Sequence, residues 1–190
     1  MKRVNLIRAV YKGNFKIRMG KFKIDAIDLH WIDGTQDDPS DYCLHGHAIA
    51  YIGDQKLECD ATLSATALYL LKTLTEDHVI YEDNQMLPCC GFIYIPNENL
   101  DNVEIMGCAN GIDWTVRHDE DCVVLELDDG TTERVLLDAY REEVFRFADK
   151  IEDYYQACTP KEFSEEEEPA REGYVAFWNE WHRRRGERKK

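Results

Sequence analysis

Two short runs of cysteine and histidine contain the residue types in this sequence that could do chemistry. The first run is Cys43-Leu44-His45-Gly46-His47. If it forms a β-strand, its first, third and fifth side chains share one face, because side chains alternate along a strand. A thiolate and two imidazoles, from Cys43, His45 and His47, could then provide three ligands of a zinc ion, with the fourth from Cys89, Cys90 or Cys108.

The spacing of this run is not that of a zinc finger or zinc ribbon, since no second C-x-x-C or H-x₃-H pattern accompanies it. The pattern therefore favours an ordinary strand of mixed burial, in which backbone or carboxylate groups hydrogen bond to the two histidines. We therefore expect no cofactor, with a zinc ion at this run as the alternative.

The second run is Leu87-Pro88-Cys89-Cys90-Gly91. Adjacent cysteines can form a strained disulfide or a reactive pair, and reactivity requires a lowered thiol pKa, usually from a cation or a helix N-terminus. No lysine or arginine lies nearby in the sequence. The run is therefore interpreted as a buried turn that leads into a strand.

Catalytic motifs of known spacing are absent from the sequence. It contains no G-x-S-x-G, no Walker A loop, no H-E-x-x-H and no glycine-rich dinucleotide turn. This favours a protein that is not an enzyme. The alternative is a metal- or thiol-dependent enzyme that uses the region of Cys43, His45, His47, Cys89 and Cys90.

Charge is unevenly distributed along the chain. The formal net charge is −15, but residues 1–23 hold eight lysines or arginines and no acid, and residues 182–190 carry +5, so residues 24–181 carry −28. Such an acidic body repels a phosphate backbone and attracts basic surfaces. The sequence therefore predicts a binding or inhibitory module for a basic protein, similar in its action to immunity proteins and nuclease inhibitors, and argues against nucleic-acid binding. The alternative is that the acidity only maintains solubility.

The sequence also bears on the compartment. No apolar run approaches the roughly 20 residues that a membrane-spanning helix needs, and the basic N-terminal residues are not followed by the apolar core of a signal peptide. Seven cysteines, an odd number, argue against a complete disulfide framework. We therefore expect a cytoplasmic protein without a membrane partner.

The elements that would position these residues follow from hydrophobic periodicity. The pattern predicts an α+β fold in which an antiparallel, meander-rich sheet is packed by about three helices in a single domain. Strands are expected at 3–11, 15–32, 43–52, 56–59, 90–95, 103–108, 112–118, 123–127 and 131–137, and helices at about 64–75, 138–158 and 170–185.

The helix at 138–158 has the clearest periodicity. Asp138 is expected to cap its N-terminus, and the preceding meander is expected to cover its apolar stripe. The stripe consists of Tyr140, Val144, Phe147, Ala148, Ile151, Tyr155 and Cys158.

Three segments are expected along the chain: an α+β core at 1–160, a solvated acidic linker at 161–169, and an amphipathic aromatic helix with a basic tail at 170–190. The apolar stripe of this last helix consists of Tyr174, Phe177, Trp178 and Trp181. It could pack on the core, or it could form an interface with a partner or with a second copy in a homodimer, because tyrosine and tryptophan are common interface anchors.

Overall fold

A computed structural model describes residues 20–82 and 84–186 of the chain. The predicted strand at 3–11, and the part of the strand at 15–32 that precedes residue 20, lie outside the described residues. The α+β prediction is confirmed, since runs of antiparallel strands and three α-helices make up one compact chain over the described residues. The helices are α1 (Leu63–Lys72), α2 (Leu137–Ala157) and α3 (Glu168–Arg184). The strands are β1 (Phe22–His30), β2 (His45–Ile52), β3 (Gln55–Thr62), β4 (Leu87–Pro88), β5 (Ile93–Pro96), β6 (Val103–Met106), β7 (Gly111–Ile112), β8 (Thr115–Asp119), β9 (Cys122–Glu126) and β10 (Thr132–Leu136).

These strands form four small antiparallel sheets and not the one sheet that we expected. The described residues contain two three-stranded meanders, β1-β2-β3 and β8-β9-β10, and two two-stranded ladders, β4-β7 and β5-β6. The turns in the meanders contain the glycines that the sequence indicated. Gly53 has φ +61° between β2 and β3, and Gly130 has φ +80° between β9 and β10, a conformation that glycine adopts without steric cost.

Helix α1 is the centre of the core. Its first nine residues, Leu63 to Leu71, are all buried, and it contacts α2, α3, β2, β3 and β4. The sequence of this helix has one lysine and no acid, so it can be surrounded by protein without burying an unpaired charge. This agrees with the expectation that it would be more buried than the helix at 138–158.

Helix α2 buries the predicted stripe from Tyr140 to Tyr155, while Cys158 lies just beyond the helix end and is partly exposed. The preceding meander covers this stripe only in part, since α2 contacts β9 and β10 but packs more extensively against α1 and β1. The prediction that Asp138 is the N-cap was wrong. The helix begins at Leu137 with Leu136 in the N-cap position, and the Asp138 carboxylate pairs with Arg141.

Helix α3 packs on the same core, against β5, β6 and α1. Its Glu180 is fully buried, pairs with Arg184 at 2.7 Å and accepts a hydrogen bond from the Val103 amide at 2.8 Å. Glu165–Glu167 form a short 3-10 helix before α3, and their side chains, like that of Glu168 at the start of α3, are exposed. Lys161 in the same segment instead lies 3.1 Å from the ring centroid of the buried Trp31. The segment at 161–169 is therefore partly anchored on the core.

Within residues 20–82 and 84–186, we find no helix with both the length and the apolar character needed to cross a lipid bilayer.

Candidate functional site

Three cysteines converge at one end of the β5-β6 hairpin. Cys89 and Cys90 precede β5, and Cys108 follows β6. Their sulfur atoms all lie within 4.8 Å of one another, and the Cys89 and Cys108 sulfurs are 2.7 Å apart. Cys89 and Cys108 are exposed and Cys90 is half-buried. The three thiols therefore form an accessible cluster, which we call the three-cysteine cluster.

Backbone contacts hold the two cysteine-bearing segments together. The β4-β7 ladder pairs Pro88 with Gly111, and the Cys89 amide donates to the Asn110 carbonyl at 3.1 Å. Gly107 lies against the backbone of Cys90 so closely that a Cβ atom there would overlap the Cys90 carbonyl oxygen. The local sequence thus brings the sulfurs together because residue 107 has no side chain.

The thiols change one another's acidity. Hydrogen bonds from the Cys89 and Cys90 thiols, with a smaller effect from the Asn110 backbone, lower the pKa of Cys108 to about 7. The hydrogen bond between Cys89 and Cys108 raises the pKa of Cys89 to about 12. No lysine or arginine lies near this pair in the sequence. The lowered pKa comes instead from neighbouring thiols that stabilise one thiolate.

A cleft lined by histidines adjoins the cluster. Cys89 lines it together with His30, His45, His47 and Asp60, and its volume is about 470 Å³. His45 and His47 lie on the partly exposed face of β2, as their alternation predicts. The three imidazoles thus share one cleft with one thiol of the cluster.

His30 was not among the predicted residues, and a β-bulge explains its position. The register between β1 and β2 shifts between Ile27 and His30, where Asp28 has φ +55°. The shift places His30 opposite His45, with ring centroids 6.2 Å apart in a stacked arrangement. A bulge of this kind redirects the side chains next to it, and no residue pattern in the strand predicts its position.

The two predicted histidines differ in their surroundings. Hydrogen bonds from His47 to Asp60 at 2.8 Å and to Glu58 at 3.2 Å raise the His47 pKa. Burial lowers the pKa of His45 despite the opposing effect of Asp41. The His45 ring therefore favours its neutral form, in which an imidazole can bind a metal ion.

Cys43 is not part of this arrangement. Strand β2 begins at His45, so the alternation that was expected to align residues 43, 45 and 47 does not extend back to Cys43. The Cys43 side chain is buried, interacts with the Tyr94 hydroxyl, and has a pKa that burial raises to about 12. The structure therefore separates Cys43 from the predicted zinc ligands, and it brings together Cys89, Cys90 and Cys108.

The aromatic residues of the predicted interface divide into two pairs. Phe177 and Trp181 are fully buried in the core, and Tyr94 stacks on Phe177 with ring centroids 5.0 Å apart. Tyr174 and Trp178 are only partly buried. The prediction of an interface remains a prediction, and in this structure only the second pair offers any accessible surface.

Comparison of the chain with protein-family models, with curated proteins and with solved structures found no match.

Proposed function

We propose that the protein binds a thiophilic metal ion, Zn²⁺ or Cu⁺, through Cys89, Cys90 and Cys108. The observation that carries this proposal is the convergence of the three sulfur atoms within 4.8 Å. Thiolates are soft ligands that select these two ions over the hard cations Mg²⁺ and Ca²⁺.

The cluster needs only a small adjustment to hold zinc. Zn–S bonds of about 2.3 Å in a tetrahedral site place two thiolates about 3.7 Å apart. The Cys89 and Cys108 sulfurs, at 2.7 Å, would therefore separate by roughly 1 Å. Both side chains are exposed, so rotation about their side-chain bonds supplies this movement without repacking the core.

Three protein ligands leave the fourth position of a zinc ion open. Cys89 is one of the residues that line the histidine-containing cleft, so a water molecule or a small ligand in this cleft could reach the ion. Zinc enzymes keep such an open position for the reacting water or substrate. The alternative of a metal- or thiol-dependent enzyme is therefore kept for this cluster, which consists of Cys89, Cys90 and Cys108 and leaves out Cys43.

Metal analysis of the full chain, purified without an affinity tag under reducing conditions, tests the proposal. We expect about one zinc or copper ion per chain, and loss of the ion in Cys90→Ser, because two thiolates hold a zinc ion poorly. Cys158→Ser is the matched control, since the Cys158 thiol lies away from the cluster and donates to the Gln36 carbonyl, as a serine hydroxyl can. Wild-type protein that takes up neither ion would refute the proposal.

A second candidate function is binding of a basic protein through the acidic surface, as an inhibitory or immunity-like module. The exposed glutamates Glu162 and Glu165–Glu168, within a body of charge −28, favour it. We also propose a cytoplasmic location, because free thiols persist there. A homodimer is the alternative to a monomer. Affinity capture at low and at high salt tests the proposed binding of a basic protein. A basic partner retained only at low salt supports it, and recovery of none at low salt counts against it.

A further inference from the structure

We infer that Cys89 and Cys108 are the site of a reversible disulfide bond, formed by a low-molecular-weight disulfide, and that this bond releases the metal ion. The inference rests on the proposed metal site and adds its regulation. It starts from the two sulfurs, which lie 2.7 Å apart, whereas a disulfide bond is about 2.05 Å long. The sulfurs therefore need to approach by only roughly 0.7 Å.

The backbone already holds these two cysteines in place. Cys89 continues directly from the β4-β7 ladder, and its amide donates to the Asn110 carbonyl at 3.1 Å. Cys108 lies on the other segment, where its own amide donates to the Cys90 sulfur at 3.0 Å. Because both segments are fixed before the bond forms, closing it costs little additional conformational entropy.

The exposure and contacts of each cysteine determine that Cys89 and Cys108 are the pair that is oxidised. Cys89 and Cys108 are exposed, so a small oxidant in solution can reach either sulfur. Cys90 is half-buried, and its sulfur accepts a hydrogen bond from the Cys108 amide. A bond between the adjacent Cys89 and Cys90 would also require strained geometry, because disulfides have narrow dihedral preferences. The contact across the two segments is therefore the one expected to oxidise.

The chemistry proceeds as two thiol–disulfide exchanges. The thiolate of one cysteine attacks a sulfur of the small disulfide, forms a mixed disulfide and expels one small thiolate. The second cysteine thiolate attacks the protein sulfur of that mixed disulfide and expels the other small thiolate. Overall, two protein thiolates are oxidised to one disulfide, and one small disulfide is reduced to two small thiolates, so electrons and charge balance.

This bond and the metal ion exclude each other. A thiolate is the form of cysteine that binds metal, and the disulfide consumes two of the three thiolates in the cluster. Cys90 alone then remains as a sulfur ligand, so the ion leaves. An excess of small thiol reverses both exchanges and restores the site.

Zinc-loaded full-length protein treated with oxidised glutathione tests the inference. Zinc release is followed with a chromophoric chelator, and the disulfide is located by peptide mass spectrometry without reduction. We expect a Cys89–Cys108 bond that forms in step with zinc release, and recovery of zinc binding after treatment with reduced glutathione. Cys158→Ser should behave like wild type.

Two variants separate the inference from the metal-site proposal. Cys90→Ser should lose zinc but still form the Cys89–Cys108 bond, and Cys108→Ser should lose both. If wild-type protein binds zinc but forms no Cys89–Cys108 bond, the redox inference is wrong and the metal site stands. If the protein keeps its zinc after the bond has formed, the ion is not held by these sulfurs, and both the redox inference and the metal site are wrong. If the bond forms in protein that never binds zinc or copper, the metal site is wrong, and with it the release of metal.

Discussion

Gly107 controls how closely the two cysteine-bearing segments approach. A Cβ at this position would overlap the Cys90 carbonyl oxygen and lie 3.2 Å from the Gly91 Cα, and backbone atoms cannot move aside as flexible side chains do. We therefore expect Gly107→Ala to separate the segments, weaken zinc binding and lower the free energy of unfolding by roughly 1–3 kcal/mol. Zinc titration and urea denaturation measure the two effects.

Gly130→Ala is the control for this prediction. Gly130 has φ +80°, and no atom lies within 4 Å of the position that a Cβ would take, so alanine there adds backbone strain of roughly 1–2 kcal/mol without a clash. The control should therefore lose stability and keep zinc binding. Equal zinc affinity in Gly107→Ala and wild type would show that close approach at this glycine does not build the site.

At the residue scale, the sequence pointed to cysteines and histidines, and the structure brings only some of the predicted residues together. The position of Cys108 follows from the β5-β6 hairpin. The pairing of Ile93 with Met106 places Cys108 next to Cys90 at the open end of the hairpin. Cys43 was misplaced because strand alternation was extended past the start of β2. His30 was missed because a bulge, and no residue pattern, brings it opposite His45.

At the scale of elements, helix α3 belongs to the core of this structure. Phe177 is fully buried and stacks on Tyr94 of β5. Phe177→Ala should therefore leave a cavity beneath the helix and lower the free energy of unfolding by roughly 3–5 kcal/mol. Urea denaturation monitored by circular dichroism measures this loss.

Val175→Ala on the same helix is the matched control. Val175 is 41% exposed, so its truncation should change the free energy of unfolding by less than about 0.5 kcal/mol. If Phe177→Ala were as stable as Val175→Ala but changed self-association, the aromatic stripe would act as an interface, and the packing of α3 on the core would not be what stabilises the fold.

The predictability of each element depended on how local its determinants are. The buried stripe of α2 follows from spacing within one helix, so periodicity was sufficient to find it. The neighbours of α2 could not be found in that way. The stripe packs on α1 and on β1, which precedes it by more than 100 residues, and such pairings depend on the topology of the whole chain. For the same reason most of the strands were predicted, but the short strand β4 and the division of the strands into four sheets were not.

At the scale of the whole molecule, uneven charge affects the fold and its contacts in opposite ways. The net charge of −15 repels itself in the compact state, whereas exposed ion pairs such as Lys150–Asp25 each contribute only about 0–1 kcal/mol. A basic partner, by contrast, would be attracted by the same charge. Added salt weakens both the repulsion within the chain and the attraction of a basic partner, so a change of salt concentration tests both.

We therefore expect the urea midpoint of the reduced protein to rise as sodium chloride increases from about 0.01 M to about 0.15 M, because the screening length falls from roughly 30 Å to roughly 8 Å. Choline chloride at equal ionic strength should give the same shift, since screening does not depend on the identity of the cation. Over the same range, binding of a basic partner should weaken.

A midpoint that falls with salt would mean that ion pairs, including those of Arg184 with Glu180 and Glu76, outweigh the repulsion. The acidic surface would then be balanced within the fold, and the case for a basic partner would lose its electrostatic support.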